Sequence, residues 1–426
     1  MEFPNIWAEI DLGAIAHNVR ELKNITRAEA RFIAVVKADG YGHGAAEVAR
    51  TALAAGADML AVARIDEAIA LRQAGFKVPI LVLGPTFPEH AEGLVTHHLT
   101  QSVTGLAAAR ALDETARRCG ATLPVHLKVD SGMGRLGLIP DDRRQGTPLP
   151  PVEEVAAITR LPGLQLKGIF THFATADELE KHQAHRQFAI FSSFLETLEK
   201  AGIDCGLRHA ANSAALIDLP ETHLDAVRPG IALYGLYPSR EVDHERANLQ
   251  PALALKTRLL QVKAVPAGFK VSYGLTWEAP RATIIGTVAA GYADGIQRRL
   301  SNRGAMLVSG RRAPIVGRVC MDLIMLDLGP DATAAAGDEV ARLRGDPVSK
   351  FNYTNDEKLL RNRGWTLIRP PWTKDWIGGT MVELSRTRVL PEVEGRVPPD
   401  LYLIYLRSDK FQSSDARYDR IAADAS

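Results

Sequence analysis

A lysine closes the apolar run in "FIAVVKADGYGHG", residues 32–44, and Lys37 stands where a buried strand should give way to a glycine-punctuated turn. Other apolar runs end on charged or hydrogen-bonding groups in the same manner. Lys128 and Asp130 lie in "HLKVDSGMGRLG", His172 in "GIFTHFATAD", Asn212 and Ser213 in "RHAANSAA", and Arg228 in "VRPGIALYG". Any one of them, alone, is most simply a strand or helix cap. Their recurrence is not explained by capping, because loose surface polar groups have no reason to share one topological place. A lysine at the base of a pocket can form a Schiff base with a carbonyl cofactor, or it can bind an anion. Glycines at 40, 42, 230 and 235 permit close backbone approach.

The elements that must position these groups follow from the alternation of apolar runs. Strands are expected at 32–36, 59–63, 78–83, 99–103, 124–130, 164–171, 207–211 and 225–233. Amphipathic stretches such as "HGAAEVARTALAAG", "IDEAIALRQAG" and "HQAHRQFAIFSSFLETLEKAG" lie between them and predict helices. Strand–helix alternation implies parallel pairing with helical crossovers. Eight such units fit a (β/α)8 barrel, and an open doubly wound sheet is the alternative. No Gly-x-Gly-x-x-Gly follows the first strand, which weakens the dinucleotide-binding form of that alternative. In a barrel the chemistry sits at the C-terminal strand ends, where the residues above converge. Ser213 and the "RPGIALYG" backbone could donate to a phosphate there. A Schiff-base lysine beside a phosphate cradle points to pyridoxal phosphate.

After residue 238 the rhythm changes to short alternating runs with turn signals, which predicts a smaller, mostly β domain over 239–340. Residues 1–238 form the barrel in this division. Residues 341–426 have weak periodicity and form a third segment of undefined fold. The 426 residues carry 51 basic and 50 acidic side chains, a net charge of +1, which gives no attraction to nucleic acid or to a membrane surface. Glu9 and Asp11 lie where an export signal would be apolar, and three widely spaced cysteines suit neither a disulfide framework nor a metal site. A cytoplasmic protein without a metal is expected.

"AVVKADGYGHG", "LKVDSGMGRLG", "THFATAD", "ANSAA", "RPGIALYG", "VSYG", "GYADG" and "VGRVCMDL" resemble, in order, the motifs of bacterial alanine racemase across roughly 1–340. The resemblance implies a barrel followed by a β domain, pyridoxal 5'-phosphate as cofactor, and L- and D-alanine as substrates. It also implies a head-to-tail homodimer with shared sites, supplying D-alanine for peptidoglycan. By the same resemblance Lys37 carries the cofactor, and Tyr41, Ser213, Gly230 and Ile231 hold its phosphate, the last two through backbone N–H groups. His172 and Asn212 surround the pyridine ring, with His172 steadying Arg228. Arg228 matches an arginine facing the ring nitrogen, which a permanently protonated group keeps unprotonated. That arrangement weakens the ring as an electron sink and favours quick reprotonation at Cα. Arg135 matches a contact to the cofactor's phenolic oxygen and the substrate carboxylate. Lys128 matches a lysine carbamylated by CO2 that orients Arg135.

Racemisation removes a proton from one face of Cα and returns one to the other, so two groups serve better than one. Lys37 and Tyr273 match that pair, the tyrosine reaching across from the other subunit. Tyr292 and Met321 match residues that narrow the partner's pocket and help hold the carboxylate. Arg298, Arg318 and Asp322 fall where the family lines its access corridor, though plain surface charge explains them equally well. Beyond 340 the resemblance ends: the Tyr-Glu that ordinarily closes the β domain has no counterpart in "WIGGTMVELSRTRVLPEVEGRVPPD". Two other readings therefore stand beside an alanine racemase. One is a racemase of broader amino-acid specificity, and the other is a cofactor-binding homologue inactivated by its altered C-terminus.

Overall fold

The structure is a computed structural model describing residues 5–141 and 150–342, together with the strand Leu401–Tyr405. The first strand, β1, is Ile6–Asp11. Eight short strands follow: β2 (Arg31–Val35), β3 (Met59–Val62), β4 (Ile80–Val82), β5 (Thr100–Val103), β6 (Leu123–Lys128), β7 (Leu164–Phe170), β8 (Leu207–His209) and β9 (Ala226–Val227). They pair in parallel in sequence order, and β9 returns to β2 with Arg31 opposite Ala226 and Phe32 opposite Val227. This closure makes a barrel and excludes the open doubly wound sheet.

Burial on both faces explains why these strands read as unbroken apolar runs. Ile33, Val35, Met59, Ala61, Leu81 and Ala226 fill the barrel interior. Their alternating neighbours Phe32, Ala34, Leu60, Val62, Ile80 and Val82 pack outward into the layer beneath the helices. The three quoted helical stretches form helices at Ala45–Ala54, Ile65–Gln73 and His182–Lys200. A further helix, Leu12–Asn24, begins at Asp11, whose Oδ1 accepts from Ala14 N at 2.8 Å. It ties onto the wall beside β9, where the Asn18 side chain donates to the carbonyls of Leu233 (3.0 Å) and Gln250 (2.8 Å). The strand expected at 225–233 is only two residues long. Pro229 has no N–H for the ladder, and the chain instead enters a 3-10 turn at Ile231–Tyr234.

The second domain is built on β10 (Leu253–Val265). It also contains β11 (Lys270–Val271), β12 (Trp277–Glu278), β13 (Thr283–Val288), β14 (Ala305–Val308), β15 (Arg311–Pro314), β16 (Ile324–Gly329), β17 (Glu339–Arg342) and β18 (Leu401–Tyr405). β10 pairs antiparallel with β1, β13 and β17, so the long strand is the spine of the sheet. Leu259, Val288, Ile324, Leu326 and Val340 form its core. The division at 1–238 counts β1 with the barrel, but β1 is a strand of this second sheet. Most of the 341–426 segment lies outside the described residues. Leu401–Tyr405, which nothing in the sequence marked as paired, runs antiparallel to β1 with Trp7 opposite Tyr405. Among the described residues no helix is long and apolar enough to cross a membrane.

Candidate active site

Lys37 does not end a strand. It opens a turn in which Ala38, Asp39, Gly40 and Tyr41 all take left-handed torsions, with φ of 52°, 52°, 61° and 53°. Each non-glycine residue held there costs about 1–2 kcal/mol, so the turn needs support. Glu67 supplies it. One carboxylate oxygen accepts from Ala38 N at 2.6 Å, and the other from Ala63 N at 2.8 Å and Arg64 N at 3.0 Å. Asp39 Oδ1 accepts from Ala45 N at 2.8 Å, although burial holds its carboxyl above the usual range. The Tyr41 ring lies 4.8 Å from that of Tyr234, and the Lys37 ammonium 5.8 Å from the Tyr41 ring. Sequence reasoning missed Glu67, because an acid in the first turn of a helix reads as an ordinary cap.

Arg228 is buried at the neighbouring strand end. Its Nη2 donates to the carbonyls of Thr171 (2.7 Å) and Ala210 (2.9 Å) and approaches His172 Nδ1 at 3.4 Å; its Nη1 lies 2.8 Å from His209 Nδ1. A guanidinium can only donate, so His209 Nδ1 accepts and its Nε2 carries the proton. That N–H then donates to His126 Nδ1 at 2.8 Å. Phe170 stacks flat on His209 at 4.8 Å. Burial lowers His126 to about 4 and pushes His172 and His209 well below the ordinary histidine value, with Arg228 as the next cause for each. All three are neutral at pH 7. Burial and Arg135 bring Arg228 down to about 9, which leaves it protonated. Among the described residues Arg228 makes no ion pair. His126 and His209 were missed in the sequence, yet they share inward parity with Lys128 and with the end of β8.

Ser213 Oγ accepts from Gly230 N at 2.9 Å and from Ala232 N at 3.3 Å, which turns its own hydroxyl proton outward. The Gly230 N–H expected to face a phosphate is thus directed at Ser213, because the two strand ends close on each other. Gly230 is required here for space: a Cβ would stand 2.5 Å from Tyr41 Oη. Asn212 caps the helix Ser213–Asp218, its Oδ1 accepting from Ala215 N at 3.0 Å, so a ring contact falls to its Nδ2. Ile231 is buried at the start of the following turn.

Lys128 is buried beside Phe170, its ammonium 5.5 Å from the ring centre. Burial first, then Arg135 and Arg228, lower it to about 8. Asp130 fixes the loop that carries Arg135, accepting from Gly132 N and Gly134 N at 3.0 Å and from Arg135 N at 2.9 Å. Lys37, Lys128, Arg135 and Arg228 all act electrostatically on His172. Four cations at one mouth, with Asp130 the carboxylate acting on Lys128, call for an anionic occupant. The outward hydroxyl of Ser213, the phenol of Tyr41 and the space left by Gly230 make a small cradle beside them. This donor set fits a phosphorylated cofactor that bears a second anionic oxygen.

Tyr273, Tyr292 and Met321 gather elsewhere, on the second domain. Tyr273 is 70% exposed and Met321 49% within one chain. Tyr292 N donates to Cys320 O at 3.0 Å and Ala293 N to Met321 O at 2.9 Å, so backbone hydrogen bonds tie these two turns together. Asp294 Oδ2 accepts from Gly291 N at 2.9 Å, and burial followed by Asp322 raises Asp294 to about 6. The Arg318 guanidinium lies against Gly274, next to Tyr273. Arg298 opens a short 3-10 turn at Arg298–Leu300 on the same domain.

Comparison with known proteins agrees with this geometry. Residues 10–238 match the family model of the alanine racemase N-terminal domain, and residues 252–357 that of the C-terminal domain. The chain is 56% identical over 337 residues to the alanine racemase of Desulfosudis oleivorans, covering 78% of this chain and 86% of that protein. It is 50% identical over 335 residues to that of Desulforamulus reducens, covering 79% and 89%. The solved alanine racemase of Clostridium difficile 630 superposes with a TM-score of 0.74 at 39% identity, covering 81% of this chain and 89% of that one. The chain belongs to the alanine racemase family.

Proposed function

We propose that this protein interconverts L- and D-alanine with pyridoxal 5'-phosphate, working as a cytoplasmic head-to-tail homodimer that supplies D-alanine for cell-wall peptides. The observation that carries this is Arg228: a buried, donor-only guanidinium at the same barrel mouth as Lys37. Ser213, Tyr41 and the backbone N–H of Ile231 would hold the phosphate, Lys37 the cofactor's carbonyl carbon, and Arg228 the ring nitrogen, while the Gly230 N–H orients Ser213. Pyridoxal phosphate, when bound, withdraws electrons from Cα and makes its proton removable.

Arg228 has no acidic partner among the described residues and can only donate, so it would leave the nitrogen of a bound ring unprotonated. The neutral His172 and His209 hold its fork in place. With Arg228 there, a bound ring would withdraw electrons only modestly, which would favour quick return of the proton over side reactions. Lys37 moves the proton on the face presented by D-alanine. The partner's Tyr273 moves it on the opposite face, that of L-alanine. Arg135 receives the substrate carboxylate, and the partner's Tyr292 and Met321 close the pocket around a methyl group. Lys128, lowered to about 8, is partly neutral at physiological pH and can take up CO2 as a carbamate. That anion would relieve the repulsion with Arg135 and fix its direction. Three free cysteines are consistent with a reducing compartment.

The test is conversion of L-alanine to D-alanine by the cofactor-loaded protein, measured with a D-amino-acid-specific coupled assay. Loss of turnover in both Lys37→Ala and Tyr273→Phe, with cofactor retained only by the second, is the expected result. A loaded dimer that leaves L-alanine unchanged overturns the assignment.

A further inference from the structure

Tyr273 stands in backbone that its neighbours resist. Ser272 has φ 67° and ψ −177°, a region ordinarily left to glycine; Gly274 follows at φ 71° and Leu275 at φ 50°. Such torsions persist only where the surroundings over-determine them, and they cluster where geometry serves function. The surroundings here are the loop 316–323 and Asn302. Ser272 Oγ donates to Arg318 O at 2.7 Å. Asn302 Nδ2 donates to Thr276 Oγ1 at 3.0 Å and approaches Thr276 O at 3.5 Å, while its Oδ1 accepts from Gly317 N at 2.6 Å. Asn302 is itself left-handed, at φ 57°. Its neighbour Ser301 accepts from Val319 N at 3.0 Å. Gly317 lies so close that a Cβ there would stand 2.6 Å from Ser272 Cβ. The same loop carries Met321 and accepts the backbone hydrogen bonds of the Tyr292 turn. One amide therefore links the Tyr273 turn to a frame that also bears Tyr292 and Met321.

We propose that Asn302 is a positioning residue for the Tyr273 phenol, setting the depth at which it enters the partner's pocket. The inference rests on Tyr273 serving as the acid–base group for L-alanine. Ser272 pins the turn ahead of Tyr273, and Asn302 pins it behind, at Thr276. Without the second pin the phenol swings about the first. A misplacement of about 1 Å can cost about a hundredfold in a proton-transfer step.

Asn302→Gly is the informative variant, because glycine accepts the left-handed torsion and the change removes the amide without adding strain. Asn302→Asp keeps the acceptor for Gly317 N and loses the donor to Thr276. Both are assayed as cofactor-loaded protein beside Tyr273→Phe. The equilibrium constant of racemisation is one, so kcat/KM must stay equal in the two directions. Isotope effects with C2-deuterated L- and D-alanine are therefore the readout that separates the faces. In Asn302→Gly, kcat is expected to fall about tenfold to a hundredfold. The isotope effect should rise on L-alanine and not on D-alanine, with dimer mass as in the parent and a lower melting temperature, since Gly317 N loses its acceptor. Asn302→Asp should fall between, and it decides the matter if the glycine variant does not fold. An unchanged kcat, or isotope effects that move equally for both enantiomers, overturns the proposal. If Tyr273→Phe keeps full activity, the assignment of Tyr273 fails and takes the proposal with it, an outcome distinct from a silent Asn302→Gly beside an inactive Tyr273→Phe.

Discussion

Gly230→Ala isolates the phosphate cradle with a single methyl group. The new carbon would sit 2.5 Å from Tyr41 Oη, 3.3 Å from its Cζ and 3.7 Å from Val35 Cβ. Ordinary van der Waals separation is about 3.5 Å, so the phenol must retreat by about 1 Å. Its ring is pinned 4.8 Å from Tyr234 and sits in the left-handed turn, so it cannot retreat without moving Lys37's own support. Overpacking of this kind costs about 1–3 kcal/mol in stability. A hydrogen bond from the phenol to a charged phosphate is worth about 1.5–3 kcal/mol. Losing it weakens cofactor binding by about tenfold to 150-fold, at 1.4 kcal/mol per decade. The assay is titration of pyridoxal phosphate into the cofactor-free protein, followed by absorbance. Tyr41→Phe removes the hydroxyl and the clash together, so Gly230→Ala placed on Tyr41→Phe should weaken binding little further. A dissociation constant for Gly230→Ala within twofold of the parent would refute this placement of the cradle. So would losses that simply add in the double variant.

Three further outcomes follow from the same geometry. Mixing Lys37→Ala with Tyr273→Phe protomers, each inactive alone, should restore about a quarter of parental activity, since half the dimers would hold one intact site; no recovery would exclude shared sites. Lys128, brought down to about 8, is about one-tenth neutral at pH 7, against about one part in three thousand at the ordinary lysine value. Depleting CO2 should therefore lower kcat, bicarbonate should restore it, and Lys128→Ala should abolish the response; a bicarbonate-insensitive parent counts against the carbamate. His43 and His126, both lowered to about 4 by burial, are neutral in the folded chain where the unfolded chain takes up protons. Stability should then fall as pH drops from about 6.5 towards 4, by about 1.4 kcal/mol per histidine per pH unit. Asp294, raised to about 6, and Asp39, also raised by burial, act with the opposite sign, whereas His172 and His209, pushed well below the ordinary histidine value, add to His43 and His126. A urea midpoint that stays flat between pH 7 and 4.5 would exclude this account.

The barrel was legible because its strands are buried on two faces. An apolar run such as "FIAVV" needs no partner to be recognised, and the observed β2 covers Arg31–Val35. The strand ends were legible for the same reason, since each polar group that halts an apolar run is conspicuous. β9 was overread, because "VRPGIALYG" stays apolar while Pro229 breaks the ladder. Asn212 shows the reverse case: its capping role was the plain expectation from its type, and its Oδ1 does cap a helix while the residue stands at the mouth.

The residues and their order along the chain were enough to place a lysine, a serine and an arginine just beyond neighbouring strands of one barrel, in the turns that follow them, because that placement depends on local pattern and strand count. The tertiary structure alone decided what surrounds them. Glu67 reaching back to Ala38, the His126–His209–Arg228 chain and the amide of Asn302 between two turns each join segments far apart in sequence. β1 likewise leaves the barrel for the second sheet by pairing with a strand some 250 residues away. Hydrogen bonds between distant segments leave no periodicity behind, so a sequence can advertise which groups do chemistry while hiding those that aim them.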